Sequence, residues 1–538
     1  MPQHNQQLSR RESYDEVEYQ TGIIKQTHPC QLGGIASLFG VSAPEVTRAK
    51  ILEIGCGLAQ NLLPIAASLP QSICVGVDLS ARQIEQAQRN ATALKLDNVV
   101  LIAADVRALV GEIGNFDYII CHGVYSWVPD EVREELFSVC RRLLSPSGLL
   151  YMSYNTYPGW ADFNLMRELY RRLFPQQTWS RDKTEQIDQW IRALPEGATR
   201  HRYEKLWFGH FRGLPNFYKY HGIFSEVNHP VYFEQAIQHA RESDFTYVSD
   251  VTLQVDVPSL KLRDLADQSA HRSRLEQLQM LDFAQHTSFR SSLFRLTSTQ
   301  EISEERVNAA KLDDFQLTSL SRLSVLPLLM EVTDLTQGQR ENALARYPNV
   351  DPTHPIKYYQ KLHDTNDELI PIPPSLARDL IDAAGESWPQ PLSLKTYFTN
   401  FRTRQPDDVQ ELLSQCIKSV IYEDIELLID ALELERAPLP IDSEDFCPRI
   451  TEYNAHYLKQ HALHLIVTPI HRYPHAAKAD PWFSFIDLWD GTRHRAAILE
   501  SVLDHPRFEG SKLSQSTPEE RAELLDVSLR LFRRVGLI

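Results

Sequence analysis

The stretch ILEIGCGLAQNLL, residues 51–63, is an apolar run that gives way to two closely spaced glycines and then to a second apolar run. Glycine allows tight backbone turns and a close approach of the main chain to a ligand. A dinucleotide fingerprint, G-x-G-x-x-G, would need a third glycine or an alanine at position 60, where Gln60 stands. The stretch therefore predicts a strand, a ligand-binding loop and a helix, and it disfavours a dinucleotide as the ligand.

The surrounding sequence, from Lys50 to Tyr154, alternates short β-branched runs with helically spaced apolar side chains. Such alternation is typical of βαβ units in a doubly wound parallel sheet, which is an α/β fold. The predicted strands are Ile51–Ile54, Ile73–Asp78, Val99–Ala103, Phe116–Cys121 and Leu149–Tyr154.

Acidic side chains accompany the ends of the first three predicted strands. Glu53 precedes the glycine loop, Asp78 ends the second strand 21 residues after Gly57, and Asp105 follows the third strand. Parallel strands present their carboxyl ends at one edge of the sheet, where such folds bind ligands. Asp78 is placed to accept hydrogen bonds from two ribose hydroxyls, and Asp105 from an adenine amino group. The spacing predicts an adenosine ligand whose tail is an amino acid.

The chain has 538 residues, of which 43% are hydrophobic and 23% charged, as expected for a folded protein of several domains. Its formal net charge of −16 disfavours nucleic acid and anionic membranes as partners. We interpret the basic cluster Arg167, Arg171 and Arg172 as a solvated helix face. The seven cysteines have no CxxC pair and no zinc-type spacing, so no metal site is predicted. No apolar run is long enough to cross a bilayer, and we expect a cytoplasmic protein.

Several stretches resemble a known enzyme family. The set Glu53-x-Gly55-x-Gly57, Asp78, Asp105 and the Ser145-Pro146-Ser147-Gly148 turn is similar to class I S-adenosylmethionine-dependent methyltransferases. Other stretches resemble bacterial methyltransferases that carry a methyltransferase regulatory domain, among which the rickettsial protein-lysine methyltransferases are best known. These stretches are YDEVEY (14–19), THP (27–29), HGVYSWVP (122–129), SYNTYPGW (153–160), NHPVYF (228–233), LDFAQHTSFRSSLF (281–294) and DLWDGTRHRAA (487–497).

The resemblance implies a Rossmann-like methyltransferase domain with a mostly parallel seven-stranded sheet, a mainly α-helical middle domain and a winged-helix-like C-terminal domain. In the sequence itself, residues from about Lys261 to Arg346 have helical spacing, and prolines crowd residues 347–391. The predicted domains are an N-terminal flap (1–30), the cofactor-binding core (31–160), an insertion that could form a homodimer contact (161–222), the regulatory or middle domain (223–346), a proline-rich linker (347–391) and the winged-helix-like domain (392–538).

The resemblance also implies S-adenosylmethionine as the cofactor. His122, after the fourth strand, is expected near the sulfonium end. Methyl transfer from a sulfonium is an in-line displacement, which requires alignment and exclusion of water and needs no metal. The residues expected to hold the cofactor are Glu53, Gly55, Cys56, Gly57, Asn61, Asp78, Leu79, Ser80, Asp105, Val106 and His122.

Aromatic residues follow the fourth and fifth strands and predict an acceptor channel. Such walls would desolvate a lysine ammonium, which lowers its pKa, and would attract it by cation–π contact. Asn155 could orient the amine through its side-chain carbonyl. With a protein lysine as the expected acceptor, the candidate catalytic residues are Tyr125, Trp127, Tyr154, Asn155, Tyr157 and Trp160.

Two other functions stay open at this point. A small-molecule N- or O-methyltransferase would use the same core but leaves the long C-terminal half without a role. A non-catalytic regulator would bind S-adenosylmethionine and transfer nothing. A tRNA or DNA methyltransferase is disfavoured, because the net charge is negative and no Asp/Asn-Pro-Pro-aromatic motif follows the fourth strand.

Overall fold

In the computed structural model the chain forms two compact units, Met1–Gly22 with Ile35–Arg306 and Ile23–Gly34 with Val307–Ile538. Tyr14 and Tyr19 of the predicted flap, and the winged-helix-like features, lie outside the described residues. The structure describes residues 24–109, 114–175, 179–180, 182–214, 216–251 and 271–297, Thr517, and the backbone of seven short strands between Gln316 and Ala476.

The first unit is built on a seven-stranded sheet with the order β3-β2-β1-β4-β5-β7-β6. Strands β1 to β5 pair in parallel, whereas β7 is antiparallel to both β5 and β6. The predicted seven-stranded, mostly parallel sheet is confirmed. The strands are β1 (Lys50–Ile54), β2 (Ile73–Asp78), β3 (Val99–Ala103), β4 (Phe116–Cys121), β5 (Leu144–Asn155), β6 (Phe245–Asp250) and β7 (Phe289–Leu296).

Helices connect the strands, and several of them pack against the sheet. Ser80 begins the helix after β2, where its side chain accepts a hydrogen bond from the Gln83 amide, and Ile84 and Ala87 are buried on one face of that helix. The helices are α1 (Pro29–Leu38), α2 (Leu62–Ser68), α3 (Ala81–Ala93), α4 (Asp130–Leu143), α5 (Trp160–Leu173), α6 (Lys183–Ala193), α7 (Ala198–Leu206), α8 (Phe233–Glu242) and α9 (Arg274–Gln285).

Strand β7 corrects the helical interpretation of residues 261–346. The helical spacing is realised in α9, but Phe289–Leu296 is the strand next to β5. Arg290, Ser291 and Ser292 are buried in it, and Arg290 forms an ion pair with Asp282 of α9 at 2.9 Å. A strand with buried polar side chains lacks the alternation that identifies strands in sequence, so its pattern gave no strand signal. The sheet thus continues into the range assigned to the middle domain.

The predicted insertion folds as helices over a second apolar cluster. Helices α5 and α6 are followed by α7, which continues directly into a π-helical turn, Trp207–Phe211. A second π-helical turn, Lys219–Ile223, follows the short helix Asn216–Tyr218. Trp207 is fully buried at the centre, where its indole N–H donates to Asp188 at 2.6 Å. Stacked rings of Tyr170 and Phe224, with centroids 4.5 Å apart, add to this cluster.

In the second unit the strands beyond β7 form three small antiparallel sheets. The prolines of the predicted linker do not prevent pairing, since Pro371 lies within a strand. No helix in the described part of the chain is long and apolar enough to cross a membrane. The strands are β8 (Gln316–Thr318), β9 (Lys357–Gln360), β10 (Leu369–Ile372), β11 (Leu392–Ser393), β12 (Glu426–Leu428), β13 (Leu465–Val467) and β14 (Pro474–Ala476), in the orders β10-β9, β11-β8-β12 and β13-β14.

Candidate active site

The loop after β1 is held in place by the end of β2. Gly55 and Gly57 have φ of +73° and +53°, which glycine adopts with little strain. The Gly57 amide donates to Asp78 Oδ2 and the Ser80 amide to Asp78 Oδ1, both at 2.9 Å. A carboxylate oxygen can accept more than one hydrogen bond, so the chemistry of Asp78 suits both fixing this loop and accepting from ligand hydroxyls. Leu79 is partly exposed beside it.

Glu53 is a buried carboxyl with one unsatisfied oxygen. Asn61 donates to its Oε1 at 2.8 Å, whereas Oε2 is buried without a hydrogen-bond partner. Burial, together with a smaller effect of the nearby Asp78 carboxylate, raises the pKa of Glu53 to about 8. A cation at this place would stabilise the ionised form. An amino-acid ammonium therefore fits the chemistry of this position.

The turn after β3 carries Asp105 and Val106. The Asp105 carboxylate accepts from the Arg107 amide at 2.9 Å and forms an ion pair with the Arg107 guanidinium at 2.7 Å. Val106 is half-buried and begins a short 3₁₀ helix, Val106–Ala108. Asp105 remains partly exposed beside Arg107, so this turn presents a carboxylate at the edge of the sheet that can interact with an amino group.

His122 follows β4 and is fixed by Tyr151 of β5. Its Nδ1 lies 2.7 Å from the Tyr151 hydroxyl, which in turn donates to Ser291 Oγ at 3.0 Å. Because Tyr151 uses its proton on Ser291, its oxygen accepts from Nδ1–H, and this tautomer leaves Nε2 as an acceptor. Burial lowers the pKa of His122 to about 4, so the ring is neutral at pH 7.

Cys56 lies in the glycine loop, where burial raises its thiol pKa well above the ordinary value. It is therefore a protonated thiol at neutral pH, not a nucleophile. The structure brings together the loop after β1, the end of β2 and the turn after β3, as the sequence predicts for the carboxyl edge of a parallel sheet.

Three of the candidate acceptor residues are core side chains. Tyr125, Tyr154 and Trp160 are each about 2% exposed or less. The Tyr125 hydroxyl bonds His239 Nδ1 at 2.9 Å, and the Tyr154 hydroxyl bonds Ser292 Oγ at 2.9 Å. Burial raises the pKa of both phenols, that of Tyr125 to about 12. Their role toward an acceptor stays a prediction.

Of the remaining candidates, Trp127 and Tyr157 have more open positions, whereas Asn155 is buried. Trp127 is half-buried against Trp160, with ring centroids 5.7 Å apart. Tyr157 is half-buried, and its hydroxyl accepts from Asn164 at 2.7 Å. Asn155, at the end of β5, donates through Nδ2 to Asn228 Oδ1 at 2.9 Å, so its own amide oxygen is the group available to an amine.

A cavity of about 390 Å³ lies beside Tyr157 and Asn228 and was not predicted. Arg133, Arg167 and Arg171 line it. The interpretation of Arg167 as part of a solvated helix face is wrong, because Arg167 is 3% exposed and its guanidinium donates to the carbonyls of Gly222, Ile223 and Ser225. The basic cluster on α5 was the sequence signal for this site, but nothing in it distinguishes a buried arginine from a solvated one.

Two known protein families and two proteins of one organism are similar to parts of this chain. The family described as "Methyltransferase domain" matches residues 51–148, and the family described as "Predicted methyltransferase regulatory domain" matches residues 216–295. Uncharacterized protein RP028 of Rickettsia prowazekii is 37% identical over 240 residues, which cover 43% of this chain and 95% of that protein. Uncharacterized protein RP789 of the same organism is 34% identical over 289 residues, 52% of each chain, so this chain spans about half the length of that relative.

Among solved structures, PKMT2 from Rickettsia typhi, in complex with AdoHcy, aligns with a TM-score of 0.72 at 23% identity. The alignment covers 96% of this chain and 99% of PKMT2, and at this identity it establishes the shared fold. The two matching families, the sheet order and the near-complete coverage of RP028 agree with one another. The chain belongs to the S-adenosylmethionine-dependent methyltransferases that carry a methyltransferase regulatory domain.

Proposed function

We propose that this chain transfers the methyl group of S-adenosylmethionine to a lysine side chain of a protein. The use of S-adenosylmethionine is supported by the geometry around the loop after β1. There Asp78 accepts hydrogen bonds from the amides of Gly57 and Ser80, and the buried Glu53 Oε2 has no partner. The support for a protein acceptor is the shared fold with PKMT2, which holds AdoHcy, and the resemblance to protein-lysine methyltransferases.

Ten of the eleven predicted residues would hold the cofactor in three groups, and the eleventh, His122, would lie near its sulfonium end. Glu53, Cys56 and Asn61, with Gly55 and Gly57, form the part that receives the amino-acid tail. Asp78, Leu79 and Ser80 lie where the ribose would bind, and Asp105 and Val106 where the adenine would bind. When bound, S-adenosylmethionine supplies an electrophilic methyl group that requires a neutral nucleophile in line with its sulfur–methyl bond.

His122 would orient the acceptor amine. The ring holds no proton on Nε2 at neutral pH, because Tyr151 fixes the Nδ1–H tautomer and burial lowers the ring pKa to about 4. Such a weak base does not retain a proton taken from a lysine, whose ordinary pKa is about 10.4. Its contribution is a hydrogen-bond acceptor that, together with the Asn155 amide oxygen, binds the amine N–H groups and directs the lone pair.

Transfer of labelled methyl groups tests this proposal. Wild type, Asp78→Ala and the control Asp97→Ala are incubated with labelled S-adenosylmethionine and a fractionated lysate of the source cell. Asp97 is exposed at the amino end of β3, away from the carboxyl edge, so its loss should leave transfer unchanged. Removing Asp78 deletes both loop anchors and the ribose acceptors, and we expect cofactor affinity to fall by about a hundredfold, corresponding to two charge-assisted hydrogen bonds.

Label in methyl-lysine of a protein band, absent with Asp78→Ala and present with Asp97→Ala, is the expected result. Label confined to small molecules would replace the proposal with a small-molecule methyltransferase. Tight cofactor binding with no label in any fraction would replace it with a non-catalytic regulator.

A further inference from the structure

The cavity beside the end of β5 lies between three segments of the first unit. Arg133 comes from the first turn of α4, Arg167 and Arg171 from α5, and Asn228 from the segment before α8. Its volume of about 390 Å³ is within the range of sites that take a small ligand or side chain. The Asn155–Asn228 hydrogen bond and the lining residue Tyr157 connect this cavity to the candidate acceptor residues.

The charges around the cavity leave one unmatched cation. Arg133 pairs with Asp130 at 2.8 Å, and Arg171 pairs with Glu168 at 3.0 Å. Arg167 donates only to main-chain carbonyls, and none of the carboxylates in the described ranges forms an ion pair with it. Burial lowers the pKa of Arg167 to about 10, which still leaves it charged at pH 7. The three arginines and their two carboxylate partners, Asp130 and Glu168, therefore carry a single excess positive charge.

Two hydrogen-bond donors of the lining are also unsatisfied. Asn228 Nδ2 and Arg133 Nε are both buried atoms without a hydrogen-bond partner. An unmade hydrogen bond at a buried donor is costly, and an acceptor that enters the cavity would recover it. Donors without acceptors beside an unmatched cation favour an anion as the occupant.

We infer that this cavity binds one carboxylate of the acceptor polypeptide, an Asp or Glu side chain at a fixed distance from the target lysine. The inference rests on the proposed protein-methyltransferase function. A singly charged carboxylate matches the one excess cation, whereas a phosphate dianion would meet the carboxylates of Glu168 and Asp130 with no second cation to balance it. The acidic side chain would thereby set which lysine enters the site.

A peptide scan tests the inference. Each probe is a blocked hexapeptide with one lysine and, at one other position, Glu, Gln or phosphoserine. Equilibrium dialysis measures binding, and methyl transfer from S-adenosylmethionine is measured on the same peptides. At one spacing from the lysine we expect Glu to bind about tenfold more tightly than Gln, as one charge-assisted hydrogen bond provides.

Asn228→Asp is the central variant, because it keeps the oxygen that accepts from Asn155 and replaces the unsatisfied donor by a carboxylate. We expect it to reduce the Glu/Gln ratio to within twofold. Arg133→Lys, which loses Nε but keeps a charge for Asp130, should reduce the ratio partly. Asn115→Asp makes the same change on an exposed residue directly before the amino end of β4. This control variant should leave the Glu/Gln ratio at the wild-type value.

The two proposals fail in different ways. Methylation of peptides with equal binding of Glu and Gln at every spacing would overturn the carboxylate site and leave the methyltransferase function standing. A Glu preference that Asn228→Asp abolishes, in peptides that are never methylated, would support the cavity and overturn the acceptor class. A Glu preference that survives Asn228→Asp, or tighter binding of phosphoserine than of Glu, would also overturn the inference.

Discussion

Glu53 combines burial with a missing partner, which is costly for the free protein. The folded chain stabilises the neutral acid, because burial raises its pKa from 4.5 to about 8. Between these two pH values the folded chain holds a proton that the unfolded chain has released. A rise in pH through this window therefore destabilises the folded chain, and above about pH 8 the loss is complete.

The substitution Glu53→Gln isolates this effect, since glutamine keeps the oxygen that accepts from Asn61 and cannot ionise. The free energy of unfolding of wild type, minus that of the variant, should fall by up to about 1.4 kcal/mol per pH unit between about pH 5 and 8. Urea unfolding at about pH 5.5, 6.5 and 7.5 measures it. A difference that does not change with pH would mean that Glu53 ionises normally.

Gly55 is the residue at which the loop has least room. A β-carbon added there would lie 2.5 Å from Val124 Cγ2, and its φ of +73° disfavours any L residue. Gly123 has a similar φ of +66° but open space around it. Both alanine variants should lose about 1 to 2 kcal/mol of stability for the backbone conformation, and Gly55→Ala should lose clearly more through the steric contact. Equal losses in urea unfolding would show that Val124 yields without cost.

At the residue scale the sequence predicted the types of side chain better than their contacts. The glycines, Asp78 and Asp105 were identified by where they stand relative to the ends of successive strands along the chain. That position can be read from local sequence. The pairing of Asp105 with Arg107 is local too, yet the tautomer of His122 depends on Tyr151 and Ser291, which are distant in sequence. The unmatched charge of Arg167 likewise appears only when residues 222–225 fold over it.

At the element scale, strands made of short apolar, β-branched runs were predicted almost to the residue, including the partly exposed edge strand β3. Strands β2, β3 and β4 have the predicted bounds, and β1 begins one residue earlier at Lys50. Strand β5 begins five residues before the predicted Leu149, because the Ser145–Gly148 turn was not expected to be part of it. Strand β7 was missed because ion pairing satisfies its polar residues inside the core, and such pairing leaves no periodic signal.

The charge of Arg290 holds α9 and β6 to strand β7. It contacts Asp282 at 2.9 Å and Asp250 at 3.8 Å, and all three side chains are fully buried. Arg290→Met should lower stability by about 3 to 5 kcal/mol, because two buried carboxylates lose their counter-charge. Arg89→Met, at an exposed pair with Glu85, should change it by less than about 0.5 kcal/mol. A loss below about 1 kcal/mol at Arg290, measured by urea unfolding, would show that the carboxylates become neutral instead.

At the scale of the whole molecule, the mostly parallel seven-stranded sheet could be predicted through the resemblance, because one loop and three acidic positions identify a class of fold. The acceptor could not, since it depends on which side chains remain accessible after packing. Of the five predicted aromatic residues, Tyr125, Tyr154 and Trp160 became core, whereas Trp127 and Tyr157 kept exposed surface. Aromatic side chains pack and bind by the same apolar surface, and sequence alone does not separate the two uses.

The net charge of −16 gives a prediction for the acceptor as a whole. Under the proposed function, a lysine-rich acceptor is attracted over long distances while one of its carboxylates binds locally in the cavity. Raising ionic strength from about 0.01 to 0.15 M shortens the Debye length from about 30 to 8 Å, and kcat/KM for a basic protein acceptor should fall by about tenfold. Because chemistry within the bound complex is not screened in this way, kcat should stay unchanged. Succinylation of the acceptor's other lysines reverses its charge, so kcat/KM for the succinylated acceptor should rise with salt. If kcat/KM changes in the same direction for the unmodified and the succinylated acceptor, long-range charge does not govern their encounter with this chain.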